Sequence, residues 1–347
     1  MSWLVFRFPP SIFLMPRCLI TTVPFGERNN FPLEMLEAND ISFLINPHNR
    51  KLIEEQLIEL VSDNVESIVA GTEPITRRVM EAAPKLRHIS RVGIGLDSVD
   101  LLAARDLGIK VSYTPDAPAP AVAELTIGLM LSLLRGVHLS NAELHRGDWT
   151  RYFGRRIAEV TIGIIGVGRI GSRVLRRLGA FGTPRLLVND VLPNLELNRE
   201  FKLEWASKDV IYREADLISL HVPLTSRTFG MIGSDQLAMM KSDALLVNTS
   251  RGGIIQEDAL FNSLKSGHLG GAAIDVFENE PYRGDLSSVE RCLLTAHMGS
   301  MSLDCRTRME IEATEEAIRF MLGKPLLSEV PEDEYKVQEL HLRDKKI

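Results

Sequence analysis

This sequence has few cysteines and no large excess of charge of either sign. Cys18, Cys292 and Cys305 are scattered over 347 residues, which excludes a disulfide framework and the ligand spacing of a zinc site. The 40 basic and 46 acidic side chains give a net charge of -6, without the basic excess typical of nucleic-acid binding. We therefore predict a cytoplasmic protein with reduced thiols, no metal and no nucleic-acid partner.

Long hydrophobic runs are missing as well. An apolar stretch at residues 1–15 is interrupted by Pro9-Pro10 and is too short to span a bilayer. It has little positive charge at its start and no small-residue cleavage site, unlike a secretory signal. We expect residues 1–16 to be an extension of the folded protein, with Met15 as an alternative start, and we expect no membrane partner.

Short apolar runs alternate with amphipathic helical patterns over most of the chain, from residue 17 to 115 and again from about residue 160 to 297. This alternation is typical of parallel sheets with helices on both faces, so it predicts an α/β fold. A proline-rich joint at residues 115–120 separates the two series. The length of the chain suits two domains.

Three further segments lie outside the alternation. The apolar pattern over residues 121–144 predicts one long buried helix. A helix is also predicted over residues 303–321. The charged, proline-interrupted residues that follow residue 327 predict a mobile or surface-draped tail.

The strongest motif is TIGIIGVGRIGSRVLRRL at residues 161–178. Gly166 permits a tight turn, Gly168 lets the backbone approach a pyrophosphate, and Gly171 lets the helix pack closely on the strand. Asp190 ends the next predicted strand, about 20 residues on, where such folds place the carboxylate that binds the adenine ribose. The motif predicts a dinucleotide site, and the acid favours NAD because it would repel the 2′-phosphate of NADP.

Four more motifs stand where predicted strands end, at the edge where open α/β sheets bind ligands. Together they offer an arginine, several acids and two histidines. This set suits polarising a carbonyl, holding a carboxylate and moving a proton. The motifs are Leu220–Thr225, Val247–Gly253, Ala273–Pro281 and Thr295–Ser300.

In these motifs the chain resembles the D-isomer-specific 2-hydroxyacid dehydrogenase family. The resemblance extends to three further segments, Arg91–Asp97, Val122–Leu125 and Gly147–Trp149. The chain is most similar to the D-3-phosphoglycerate dehydrogenase branch, in a short form without a C-terminal regulatory domain. The resemblance implies two doubly wound parallel-sheet domains, with a Rossmann NAD-binding domain inserted into a flavodoxin-like substrate domain. The implied bounds are 118–299 for the NAD-binding domain, 17–117 with 300–326 for the substrate domain, and 327–347 for the tail. Family habit and the apolar helix after Pro120 favour a homodimer.

The resemblance also implies roles for the residues of the site. His297 matches the general acid/base, and Glu280 matches the carboxylate that orients its imidazole. Arg251 matches the arginine that binds the substrate carboxylate and carbonyl, for which a guanidinium fork is suited. The matched loop that holds the substrate carboxylate consists of Gly93, Ile94 and Gly95. Positions matched to NAD binding are Gly166, Gly168, Arg169, Ile170, Gly171, Asp190, His221, Val222, Pro223, Thr249, Ser250, Asp275 and Gly299.

The substrate stays open at this point. D-3-phosphoglycerate has the best overall resemblance, but Ala70-Gly71 stands where that branch carries an arginine-serine pair. Glyoxylate, hydroxypyruvate or another 2-keto acid is the alternative. A different class of function is an NAD(H)-sensing scaffold like the C-terminal binding protein corepressors, which also carry the Arg-Glu-His set. A formate dehydrogenase is disfavoured because that branch pairs its histidine with glutamine.

Overall fold

The computed structural model describes residues 17–61, 64–182 and 184–344, so the extension expected at residues 1–16 lies outside the described residues. Two compact units make up the chain, Met1–Pro118 with Leu303–Ile347, and Ala119–Ser302. The second unit is therefore inserted, in chain order, into the first.

The first unit is built on a five-stranded parallel sheet with the order β2-β1-β3-β4-β5, which is the flavodoxin-like order. Its strands are short apolar runs, mostly buried, because helices cover a parallel sheet on both faces. The strands are β1 Cys18–Ile20, β2 Phe43–Ile45, β3 Ser67–Ala70, β4 His88–Arg91 and β5 Lys110–Tyr113. The helices are α1 Phe31–Ala38, α2 Glu54–Leu60, α3 Arg77–Glu81 and α4 Leu101–Asp106, with two more, described below, after the inserted unit.

The second unit is built on a seven-stranded parallel sheet, and its topology is the doubly wound Rossmann arrangement with one added strand. Its helices are α5 Ala119–Arg135, α6 Val137–Arg146, α7 Arg169–Leu178, α8 Leu197–Glu200, α9 Lys208–Glu214, α10 Ser234–Met239 and α11 Glu257–Lys265. Its strands are β6 Thr161–Ile165, β7 Arg185–Asn189, β8 Leu203–Trp205, β9 Leu217–Leu220, β10 Leu245–Asn248, β11 Gly271–Ile274 and β12 Cys292–Leu294. Their order is β12-β11-β10-β9-β6-β7-β8. The α/β class with two parallel-sheet units is thus confirmed.

The helix predicted over residues 121–144 is two helices. Gly136 adopts φ +61°, so the chain turns out of the helical direction between α5 and α6, and the two axes differ by 64°. No single helix among the described residues is long and apolar enough to cross a membrane, although this bent pair together has the necessary length and composition. Most apolar side chains of α5 are buried inside the unit, whereas α6 has no buried residue.

The predicted tail is more ordered than the sequence indicated. After α12, Leu303–Met321, the chain forms α13, Glu332–Asp344. Val330 and Tyr335 belong to the core of the first unit, and Gln338 makes three hydrogen bonds to the start of α4. Of the two expectations for this tail, mobile or draped over the surface, these contacts favour the second, because they hold a helix whose sequence is otherwise charged.

Candidate active site

The glycine loop follows β6 and has the geometry that its motif predicts. Gly166 adopts φ +94°, and a Cβ there would lie 2.5 Å from the carbonyl oxygen of His221. A Cβ on Gly171 would collide with the carbonyl oxygen of Gly166. By contrast, apart from its two chain neighbours, no described residue has a heavy atom within 4 Å of the Cβ position of Gly168. The loop therefore packs against other backbone atoms at Gly166 and Gly171 but leaves space at Gly168. Directly after Gly168 α7 begins, and the unpaired N–H groups of its first turn attract phosphate.

Asp190 lies directly against this loop. Its Oδ2 accepts a hydrogen bond from the Val167 N–H at 2.7 Å, and its Oδ1 accepts one from the Leu192 N–H at 3.0 Å. The half-buried carboxylate is thus fixed beside the glycine turn, with lone pairs left for other donors. Together with the open face at Gly168, this arrangement fits the ribose and pyrophosphate of NAD. Arg169 and Ile170 form the first turn of α7.

His221 contributes a neutral imidazole at the end of β9. Burial of the ring lowers its pKa to about 3. Its Nε2 forms a hydrogen bond of 2.9 Å with the Ser219 hydroxyl, while its buried Nδ1 has no hydrogen-bond partner among the described residues. A buried polar atom without a partner is costly, so a ligand group that completes this bond would be favoured. Val222 and Pro223 follow in the same loop.

The loop after β10 is held by Asn248, which the sequence analysis did not single out. Its side-chain oxygen accepts from the Ser250 N–H at 3.0 Å and from the Ser250 hydroxyl at 2.7 Å, and its amide donates to the Arg251 carbonyl at 2.9 Å. Thr249 is held by a 2.8 Å bond to the hydroxyl of Thr126. The half-buried Arg251 side chain is steadied by a 2.8 Å bond to the Ser250 carbonyl. Asn248 is the last residue of β10, and an asparagine at the end of a strand was the signal that could have identified it.

Asp275 organises the loop that carries the predicted acid/base. Its carboxylate is 1% exposed and accepts bonds from the Thr295 hydroxyl at 2.6 Å and from the Met298 and Gly299 N–H groups at 2.9 Å each. The predicted contact of Asp275 with NAD stays a prediction. The observed bonds give this residue a second task, which is to fix the loop after β12.

His297 and Glu280 form a pair at 2.9 Å between imidazole Nδ1 and carboxylate Oε2. His297 has φ +48°, a left-handed conformation that is unusual for a residue other than glycine. Glu280 is itself held by a 3.1 Å bond from the Phe277 N–H. With Nδ1 occupied by the carboxylate, Nε2 is the nitrogen left to exchange a proton with a substrate. The pair joins side chains that the sequence places 17 residues apart.

The Gly93–Gly95 loop belongs to the first unit and follows β4. Gly93 has φ +141°, its N–H donates to the Thr114 hydroxyl at 2.8 Å, and a Cβ on it would lie 2.8 Å from Nη1 of Arg91. Arg91 is 5% exposed and donates to the Val92 carbonyl. The loop therefore rests on a buried guanidinium, and that positive charge favours an anion at the loop. Among the described residues, no cluster of acidic, histidine or cysteine side chains could hold a metal ion.

Comparison with known sequences finds dehydrogenases and reductases among the proteins that are similar to this chain. The family profile for the NAD binding domain of D-isomer specific 2-hydroxyacid dehydrogenases matches residues 127–299. A D-3-phosphoglycerate dehydrogenase of Methanocaldococcus jannaschii is 37% identical over 79% of this chain, which spans only 53% of that protein. A hydroxypyruvate reductase of Thermotoga maritima is 36% identical over 77% of this chain and 88% of its own length. A glyoxylate reductase of Korarchaeum cryptofilum is 36% identical over 80% of this chain and 85% of its own length.

Solved structures agree with this grouping. The TT0316 protein of Thermus thermophilus superposes with a TM-score of 0.82 at 31% identity, over 91% of this chain and 100% of the other. A D-lactate dehydrogenase of Aquifex aeolicus, complexed with NAD and lactic acid, superposes with a TM-score of 0.79 at 27% identity, over 88% and 96%.

Proposed function

The chain belongs to the D-isomer-specific 2-hydroxyacid dehydrogenase family and is an NAD-dependent oxidoreductase, and from this premise we propose that it interconverts a D-2-hydroxy acid and the corresponding 2-keto acid. The observation that carries this proposal is the His297–Glu280 pair at 2.9 Å. It lies on the edge of the sheet that also bears the glycine loop. Bound NAD would supply the redox chemistry by taking a hydride from C2 of the hydroxy acid or returning it to the keto acid.

Each residue of the site has a defined task in this proposal. His297 takes the proton from the C2 hydroxyl during oxidation and gives it to the C2 oxygen during reduction, through Nε2. Glu280 holds the ring by Nδ1 and stabilises the charge that the imidazole gains. Arg251, in the second unit, binds the carboxylate and polarises the C2 carbonyl. In the first unit, the Gly93–Gly95 loop is a proposed carboxylate site through those of its N–H groups that the Thr114 hydroxyl does not occupy.

The proposed substrates are the acids that the relatives' names indicate. D-3-phosphoglycerate, hydroxypyruvate and glyoxylate share a carboxylate beside the reacting carbon, which is the part that Arg251 would recognise. They differ in the other substituent that C2 carries besides the carboxylate. Steady-state kcat/KM for these acids, with NADH and NADPH side by side, measures both substrate and cofactor preference.

Replacing His297 by alanine tests the reaction itself. One positioned acid/base contributes about 10²- to 10⁴-fold to the rate of a reaction. His297→Ala should therefore lower kcat by a factor in this range or larger. NADH binding, followed by nucleotide fluorescence, should stay close to that of the parent chain. Glu280→Gln keeps the shape but removes the charge, so it should lower kcat less and move the pH profile.

The matched control is His145→Ala, because His145 is an exposed residue on α6 and has no task in the proposal. It should retain parental kinetics. Near-parental turnover of His297→Ala with any of the three acids would overturn the assignment of the acid/base.

A second copy of this chain is the partner we propose, as a homodimer. Apolar side chains stand exposed on and after α6, among them Leu144 at 56%, Trp149 at 77% and Phe153 at 106% of full exposure. A patch of this kind is unfavourable in water unless it is covered. We also propose that the protein is cytoplasmic, because its three cysteines are too few and too scattered for a disulfide framework.

Sedimentation velocity tests the dimer. The parent chain should sediment as a dimer at micromolar concentration, and Phe153→Asp should shift it to a monomer with its circular dichroism unchanged. Phe181→Asp is the control, since this aromatic ring is also exposed, at 40%, but lies on a different segment. A monomeric parent chain would contradict the proposal.

A further inference from the structure

The loop after β3 carries a carboxylate that binds the loop's own backbone. Glu73 is 1% exposed, and its Oε1 accepts hydrogen bonds from the Gly71 N–H, at 2.7 Å, and from the Thr21 hydroxyl. A Cβ on Gly71 would lie 2.7 Å from Glu73 Oε2 and 3.0 Å from the Cα of Thr22. Position 71 therefore has no space for a side chain, and its N–H is already given to an internal anion.

This loop is the immediate neighbour of the Gly93–Gly95 loop. β3 and β4 pair in parallel with Ala70 opposite Arg91, and the Val92 N–H donates to the Ala70 carbonyl at 2.8 Å. Neighbouring strands lie about 4.8 Å apart. The far end of a small acid that is held by its carboxylate at Gly93–Gly95 thus lies within reach of Gly71 and Glu73.

Two of the positive charges around these loops, those of Arg91 and Arg306, are held by other groups of the first unit. Arg91 lies under Gly93, so its field favours the anion at that loop. On the other side of β3, Arg306 is 9% exposed and pairs with Glu310 at 2.7 Å while it donates to the Thr22 hydroxyl at 3.0 Å. Lys51 lines an open cleft of about 420 Å³ beside Thr72, but that cleft also contains two carboxylates, those of Glu54 and Asp97.

We propose that Glu73 is a specificity-determining residue, which rests on the proposed function above. A phosphate group needs free backbone N–H donors or a guanidinium. At the end of β3 the nearest N–H is occupied, a side chain cannot be added, and a buried carboxylate takes the anion's place. The site thus accepts 2-keto acids whose remaining substituent is small and uncharged, such as glyoxylate and hydroxypyruvate, and it discriminates against acids that carry a distal phosphate.

Hydroxypyruvate and its 3-phosphate, which differ only in the phosphate group, are the test pair. With NADH, the parent chain should have a kcat/KM for hydroxypyruvate more than about tenfold above that for the phosphorylated acid, because like charges in one site are strongly unfavourable. Glu73→Gln keeps an acceptor oxygen for the Gly71 N–H but removes the charge. It should bring the ratio of the two kcat/KM values closer to one.

Glu66→Gln is the charge-matched control. Glu66 directly precedes β3, at the opposite end of the strand from Glu73, and its carboxylate pairs with Arg17 at 2.7 Å. The substitution changes the net charge equally and should leave the ratio at the parental value.

The outcomes separate this inference from the proposed function. A parent chain that prefers the phosphorylated acid overturns the role of Glu73 and leaves the dehydrogenase proposal intact, and so does a Glu73→Gln ratio equal to that of Glu66→Gln. A parental preference for hydroxypyruvate that weakens only in Glu73→Gln supports the inference. If neither acid is reduced, and glyoxylate is not reduced either, the proposed function itself fails.

Discussion

Single polar side chains hold the loops at the carboxyl edge of the second sheet. Asn248 and Asp275 are each 1% exposed, and together they satisfy three backbone N–H groups in the loops that carry Arg251 and His297. Burying such groups is favourable only because each finds a partner. The placement of the reacting side chains therefore depends on residues that need not touch a substrate.

Asp190 allows a direct test of cofactor choice. Asp190→Ser removes the carboxylate that would repel a 2′-phosphate and keeps a small acceptor for the Val167 N–H. The ratio of kcat/KM with NADPH to kcat/KM with NADH should rise by about tenfold, or about 1.4 kcal/mol, mainly through KM. The control is Asp209→Ser, because Asp209 is exposed on α9, and this variant should leave the ratio unchanged. An equal change of the ratio in both variants would contradict the role of Asp190.

His88 gives the stability of the first unit a dependence on pH. It is 0% exposed, lies between the hydroxyls of Ser67 and Ser112 at 2.9 and 3.0 Å, and burial lowers its pKa to about 3. The unfolded chain binds this proton near pH 6.5 and the folded chain only near pH 3. The stability is therefore complete above pH 6.5 and declines as the pH falls from about 6.5 towards 3.

Urea unfolding at several pH values measures this effect. Between pH 6.5 and pH 5, His88 should account for a loss of about 2 kcal/mol in the free energy of unfolding. His88→Gln should lack that part of the slope but keep the similar part from His221, whose pKa is also lowered to about 3. The exposed variant His145→Gln should retain the full slope. An unchanged slope in His88→Gln would contradict the prediction.

At the scale of elements, α13 shows how a charged segment becomes ordered. The first N–H groups of a helix have no partner within it, and in α4 two of them, from Leu101 and Leu102, donate to the side-chain oxygen of Gln338 at 2.7 and 3.3 Å. The amide of Gln338 donates in turn to the Val99 carbonyl at 2.8 Å. One helix thus caps another across a sequence separation that no local pattern reveals.

Gln338→Ala should therefore lower the free energy of unfolding by about 1–2 kcal/mol, the usual cost of losing a helix cap. Urea denaturation monitored by circular dichroism gives the value. Lys336→Ala on the same helix serves as the comparison. The Lys336 ammonium pairs with the exposed Asp333 at 2.9 Å, so its loss should cost much less. Equal losses would show that helix propensity and not the cap is responsible.

At the scale of the whole molecule, cofactor binding should be visible as stabilisation. A ligand that binds only the folded state adds RT ln(1 + [L]/Kd), or about 2.7 kcal/mol at a hundredfold excess over Kd. NADH should therefore raise the unfolding temperature in proportion to the logarithm of its concentration. Differential scanning fluorimetry with and without NADH measures this shift.

Two glycines provide matched variants for this measurement. Apart from chain neighbours and, for Gly128, the backbone of its own helix, no described residue has a heavy atom within 4 Å of the Cβ positions of Gly168 and Gly128, so each position has room for a Cβ. Gly168→Val should fold and lose the NADH shift, because its side chain fills the face where the pyrophosphate would approach. Gly128→Ala, within α5, should keep the shift. A retained shift in Gly168→Val would contradict the placement of the cofactor.

The α/β class, the two parallel-sheet units and the glycine loop could be predicted from the sequence, because these features depend on local spacing. The turn at Gly166, the close approach at Gly171 and the acid at Asp190 follow from residues near one another in the chain. The edge strand β8 was not predicted, because it has only three residues and each of them is at least partly exposed. The break at Gly136 escaped it because an isolated glycine is tolerated within a helical pattern.

The contacts between side chains that are far apart in the sequence depend on the tertiary structure. His297 reaches Glu280 because its backbone takes a left-handed conformation, and Glu73 reaches Thr21, 52 residues away, because β1 and β3 are neighbours in the sheet. Gln338 reaches α4 because buried apolar contacts dock α13. The physical reason is common to all three: the energy of a contact depends on the path of the chain between its partners, and that path is fixed by packing and not by local spacing.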